Sequence, residues 1–191
     1  MNNQTLIHLS ITFLEKAVLG RETDFKSSDS VIDSCISKAD GDMLTAGRFY
    51  LPKDSETRRS AYKKLLKDEN YIFSRGLIEK TALLFGDNEI IGSGKMYATR
   101  FGLAQKLVNM TYKYFFVYKR YIDQEIDYSK CDCPLDSIIL GKIKYTRNVW
   151  SKVTKIEYED CQEIIKNEIQ KCGLSEEATV LGNLVFDFYG W

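Results

Sequence analysis

The chain has 191 residues and a mass of 22.1 kDa, the size of one domain or of one domain with a small lobe. With 44% hydrophobic and 13% aromatic residues it can bury a core, which excludes global disorder. Lys plus Arg equals Asp plus Glu at 27 each, so a surface that attracts nucleic acid over its whole extent is excluded, while local patches are not.

Only two prolines, Pro52 and Pro134, punctuate the chain, which favours helices. Leu6, Ile7, Leu9, Phe13, Leu14, Ala17 and Val18 recur at helical spacing over residues 4–19, and Gly20 stops that helix. The start has no basic leader region and is interrupted by Glu15 and Lys16, so no signal peptide is expected. No run approaches the roughly 20 apolar residues needed to span a bilayer, and no membrane partner is expected. Residues 27–39 set Val31, Ile32, Cys35 and Ile36 on one face of a second helix, and 40–54 read as a Gly- and Asp-rich loop. Helices over 56–67 and 71–85 follow, with a polar break at 68–70, and GDNEIIGSG at 86–94 is the strongest turn signal.

The clearest element is a helix from about Leu103 to Tyr121, with Leu103, Leu107, Met110, Tyr114, Val117 and Tyr118 at a 3.6 period. An acidic loop covers 122–132. Pro134 and Asp136 then announce a helix over 137–145, and helices over 158–171 and 176–189 meet at Gly173. No stretch alternates with period two. The expectation is an all-α, compact domain of about seven to eight helices over 1–191, with about 1–85 and 95–191 as two lobes.

Five scattered cysteines, an odd number, suit reduced thiols in a cytoplasmic protein. Cys131 and Cys133 form C-x-C, not the pair spacing of a structural zinc, so neither a metal nor a cofactor is expected. Gly92-Ser-Gly-Lys95 lacks the upstream glycine of a phosphate loop and has Met96 where a magnesium-binding hydroxyl belongs, so it reads as a turn. His8 is the only histidine, which leaves no Ser-His-Asp or Cys-His machinery.

Charge is segregated. Residues 95–120 carry six bases and no acid, 142–155 five bases and no acid, and 156–191 eight acids against two lysines. A basic stretch interleaved with tyrosines fits a phosphate-contacting surface, and equally two solvated helix faces. On a helix starting near Leu103, Lys106, Asn109, Lys113 and Arg120 share one face. Lys106 is expected in the first turn, where the helix dipole disfavours a cation and favours the nucleophilic neutral amine. Asp136 is the carboxylate placed to take its proton, or a plain helix cap.

Gly102-Leu-Ala-Gln-Lys106 resembles the Gly-x-Gly-x-Lys hairpin end of the helix-hairpin-helix DNA glycosylase superfamily, and Cys133-Pro-Leu-Asp136 resembles its aspartate segment. The 30-residue separation is similar to the archaeal-type 8-oxoguanine DNA glycosylase branch. Ala104 replaces the second hairpin glycine, and no iron–sulfur cysteine cluster is present. The resemblance implies a glycosylase/AP lyase for DNA repair, acting on double-stranded DNA with a damaged or modified base. The base is flipped out of the stack, Lys106 attacks the sugar C1′ and forms a Schiff base, and Asp136 stabilises the sugar cation or accepts the lysine proton. It also implies DNA contacts from Arg100, Gly102, Gln105, Asn109, Lys113 and Arg147. Phe115, Trp150 and Trp191 are candidate walls of the base pocket.

Two alternatives stay open. One is a non-catalytic helical nucleic-acid-binding protein in which Lys106 is one phosphate contact among several. The other is an interaction module, such as a bacterial or phage regulator, docking a protein through Val185, Phe186, Phe188, Tyr189 and Trp191.

Overall fold

Helix α5 (Arg100–Val117) is buried around its whole circumference, with every residue from Gly102 to Val117 out of solvent. Such a helix has no solvent face and must run through the middle of a domain. The computed structural model, which describes residues 3–19, 27–45, 55–85 and 99–189, places it there. Around it lie α1 (Asn3–Leu19), α2 (Ser28–Thr45), α3 (Ser55–Asp68) and α4 (Arg75–Ala82). α6 (Ser137–Lys142), α7 (Lys155–Lys171), α8 (Ser175–Leu181) and α9 (Leu184–Tyr189) complete the set, with short 3-10 turns at Lys119–Tyr121 and Trp150–Lys152. Helix is the only regular secondary structure among the described residues, as the sequence predicts.

α2 and α4 pack along α5, α1 reaches both α5 and α9, and α7, α8 and α9 pack on one another. One hydrophobic cluster runs from Ile7 to Phe188. The expected division near residue 85 therefore does not separate two cores: α2 and α4, before it, share their core with α5, after it.

Several boundaries differ from expectation for local reasons. α2 continues to Thr45, over residues 40–45 of the stretch expected as loop, and Asp40 within it is held by Arg59 at 2.8 Å; residues 46–54 of that stretch lie outside the described residues. α3 ends where Asn70 and Tyr71 take positive φ, and Ser74 caps α4 by accepting from Leu77 N–H, so α4 starts later than Tyr71. α5 starts at Arg100 because Thr99 Oγ1 accepts the Gly102 N–H at 2.8 Å. The single helix expected over 176–189 breaks at Gly182, with φ of 57°. A side chain there would meet the Cys131 carbonyl oxygen at 2.5 Å, so the chain turns on a glycine and α9 folds back to the core. The turn expected at 86–94 and Trp191 lie outside the described residues.

α9 buries Val185, Phe186 and Phe188, with Phe188 against Phe116 at 5.7 Å between ring centres. The C-terminal side chains offered as a docking surface in the second alternative are thus core at these three positions, and Tyr189 is half-buried. No described helix is long and apolar enough to cross a membrane.

Candidate site around Lys106 and Asp136

The N-terminus of α5 is locked to the 3-10 turn at Trp150–Lys152. Thr99 N–H donates to the Ser151 carbonyl at 2.7 Å, and Thr99 Oγ1 donates to the Val153 carbonyl at 2.9 Å. A Cβ on Gly102 would sit 2.5 Å from the Ser151 carbonyl oxygen, so only glycine permits the approach. This corrects the hairpin expectation: Gly102 is a helical residue packed under backbone, with no hairpin edge turned to a phosphate. The same docking brings Trp150 over α5, its ring centre 5.9 Å from the Lys106 Nζ.

Lys106 is the seventh residue of α5, not a first-turn residue. The dipole argument for a neutral amine therefore does not apply, since the effect fades beyond the first turn. What governs Lys106 is a partner. Its Nζ lies 3.1 Å from Asp136 Oδ2, with the two side chains 8% and 18% exposed. Asp136 also caps α6, its Oδ1 accepting from Ile138 and Ile139 N–H at 2.9 Å each. The carboxylate thus divides its work: one oxygen fixes the helix, the other faces the amine at a distance where a proton can pass.

The remaining polar side chains of α5 are turned inward. Gln105 bonds the Leu135 backbone twice, its Nε2 donating to the carbonyl and its Oε1 accepting the N–H, both at 3.1 Å. Asn109 Nδ2 donates to Tyr158 OH at 2.9 Å, and Tyr158 OH donates to Asp132 Oδ2 at 3.1 Å. Arg75 grips Asp132 through Nε at 2.8 Å and Nη2 at 3.3 Å. The Asp132 bond raises Arg75 above its ordinary pKa, and burial first, then Asp132, holds the Tyr158 hydroxyl well above the usual range. Lys113 Nζ pairs with Asp187 at 2.6 Å, the two side chains 2% and 1% exposed.

These placements correct several expected DNA contacts. Gln105, Asn109 and Lys113 are buried with internal partners, and Gly102 is covered by Ser151, so none of them faces a phosphate. Phe115 is fully buried against Tyr71 and Tyr112 and walls no pocket. Arg100 is half-buried, and Arg147 has a side chain 71% exposed, 3.9 Å from Asp160. Arg120, expected on the face of Lys106, lies beyond the end of α5 with Glu15.

Gln162, Asp132, Arg75 and Tyr158 escaped the sequence reading. A signal existed for one of them. Tyr158, Cys161, Gln162, Ile165 and Ile169 fall on one helical stripe of α7, and a glutamine within an apolar stripe marks a buried amide with a specific partner. Among the described residues no cluster of His, Cys, Asp and Glu forms a metal site. Comparison with protein-family models, curated proteins and solved structures finds no match.

Proposed function

We propose that the protein is a lysine-dependent DNA glycosylase/AP lyase with Lys106 as nucleophile and Asp136 as its proton acceptor. The observation that carries this reading is the 3.1 Å approach of Lys106 Nζ to Asp136 Oδ2 from 30 residues away in the chain. A lysine with a carboxylate in proton-transfer range and an aromatic ring alongside has the parts of a covalent amine site. In the reaction, the proton of the Lys106 ammonium passes to Asp136 Oδ2. The free amine bonds C1′ as the glycosidic bond breaks, and the base leaves with the bonding pair. The bound amine then loses a second proton, the C1′–O4′ bond breaks with its pair and a proton going to O4′, and the protonated imine forms. Loss of a C2′ proton expels the 3′-phosphate with the C3′–O bonding pair and cuts the strand. Arg147 and Lys144, both exposed beyond the C-terminal end of α6, are the residues we assign to phosphate contacts. Trp150, buried with its ring centre 5.9 Å from the amine, is the aromatic we assign to the wall of the base pocket. We place the protein in the cytoplasm, the compartment in which buried thiols such as Cys35, Cys131, Cys133 and Cys161 stay reduced. The test is cleavage of a duplex containing an abasic site: Lys106→Gln abolishes cleavage and retains salt-sensitive binding.

A second reading is favoured by the burial of Gln105, Asn109 and Lys113. If α5 is polar only where it pins neighbouring segments, Lys106–Asp136 is one more such pin, in a non-catalytic helical nucleic-acid-binding or protein-interaction module. In that case Lys106→Gln alters stability, and the wild-type protein cleaves no duplex.

A further inference from the structure

Asp136 reaches Lys106 at the end of residues 131–136, a stretch that forms no helix. Its buried backbone groups must therefore find partners outside the stretch. Two glutamine amides supply them from two different helices. Gln162 of α7 donates from Nε2 to the Cys133 carbonyl at 2.8 Å and accepts the Cys133 N–H at 3.0 Å. Gln105 of α5 makes the same pair of bonds with Leu135. Pro134, between the two clamped residues, has no N–H to satisfy. Asn183 closes the other end: its N–H donates to the Cys131 carbonyl at 2.8 Å, and its Nδ2 donates to Gln162 Oε1 at 3.1 Å.

The backbone groups of residues 131, 133 and 135 are thus each held by hydrogen bonds, and the last held residue immediately precedes Asp136. A single bond would leave the segment free to pivot. An amide that takes both the N–H and the C=O of one residue removes that freedom. Gln105 is also the chain neighbour of Lys106. Asp136 is therefore referred to the turn of α5 that carries Lys106, through the Gln105 amide and the Leu135 backbone it holds.

We infer that Gln162 and Gln105 are positioning residues that set the distance between Asp136 and Lys106. The inference rests on the reading of that pair as the reacting site. Gln162 touches neither Lys106 nor Asp136, so its substitution isolates the effect. The test is the rate at which acetic anhydride modifies Lys106 in the native full-length protein, read by peptide mass spectrometry. Lys113, paired with Asp187 seven residues along the same helix, is the internal reference.

In Gln162→Ala, Asp136 drifts from the amine and Lys106 is modified about tenfold faster, while Lys113 stays within about twofold of wild type. An equal rise at both lysines would mean general loosening and overturn the inference, as would no rise at Lys106. Asn183→Ala, which removes only the brace on Gln162, is read in the same way if Gln162→Ala does not fold. The result is independent of DNA chemistry. A protein that cleaves no duplex yet shows the selective rise keeps the clamp and loses the glycosylase reading.

Discussion

Lys113 and Asp187 meet at 2.6 Å, with side chains 2% and 1% exposed, and so join the central helix to the C-terminal one inside the core. Two opposite charges removed from water are tolerated only as a pair, and losing one partner strands the other. Lys113→Met is predicted to destabilise the protein by about 3–5 kcal/mol in denaturant unfolding. Lys113→Met with Asp187→Leu recovers most of that loss. A neutral Lys113→Met would show that the pair does not hold α9 on α5.

Gly102 and Gly141 are predicted to respond oppositely to alanine. At Gly102 the new Cβ meets Ser151 backbone at 2.5 Å, so Gly102→Ala costs about 1–3 kcal/mol and loosens the docking of Trp150. At Gly141 nothing lies within 4 Å, and Gly141→Ala stabilises α6 by about 0.5–1 kcal/mol. Thermal melts of the two variants check both signs.

Acid stability has an identifiable contributor in Glu157. It completes the capping box of α7 with Thr154, and its Oε1 accepts from Tyr145 OH and Asn148 Nδ2 at 2.9 and 2.7 Å. The Thr154 backbone bond leads the causes that lower its pKa from 4.5 to about 2. A carboxyl with a depressed folded-state pKa stabilises the fold above its unfolded value, and this stabilisation is lost as pH falls from about 4.5 to about 2. Glu157→Gln is predicted to melt lower at neutral pH and to show a flatter dependence of Tm on pH across that window. An unchanged slope would contradict the assignment.

The five thiols are predicted to divide into four slow and one fast. Burial raises the Cys35, Cys131 and Cys133 thiols far above the ordinary range, and the Cys161 thiol to about 11. Cys172 at the end of α7 is only half-buried. A disulfide reagent at mildly alkaline pH therefore modifies Cys172 first, and Cys172→Ser removes the fast phase.

The sequence carried the helices well where apolar spacing was regular, as in α1, α3 and α7. It misled at α5. A 3.6 period in Leu103, Leu107 and Met110 suggests one buried face, whereas Gln105, Asn109, Tyr112 and Phe116 bury the opposite face as well. Once α5 is central, Lys113 and Asn109 become internal, and a basic stretch in the sequence is no longer a basic surface. The pairing of Lys106 with Asp136 was anticipated from the two short motifs. The amides that hold them together were not, because Gln162 and Gln105 act on backbone 29 and 30 residues distant. Hydrogen bonds of that range leave no local pattern. The break at Gly182 was hidden for a related reason: it answers to the Cys131 carbonyl, 51 positions earlier.

The most direct test of the central claim is reductive trapping. The protein is incubated with duplexes carrying 8-oxoguanine, uracil or an abasic site, sodium borohydride is added, and the products are resolved on a denaturing gel. A nucleophilic Lys106 predicts a covalent protein–DNA band that is present in wild type, retained in Lys166→Gln, whose lysine is exposed on α7, and absent in Lys106→Gln. A band that persists in Lys106→Gln, or no band in folded wild-type protein on any of the three duplexes, would contradict it.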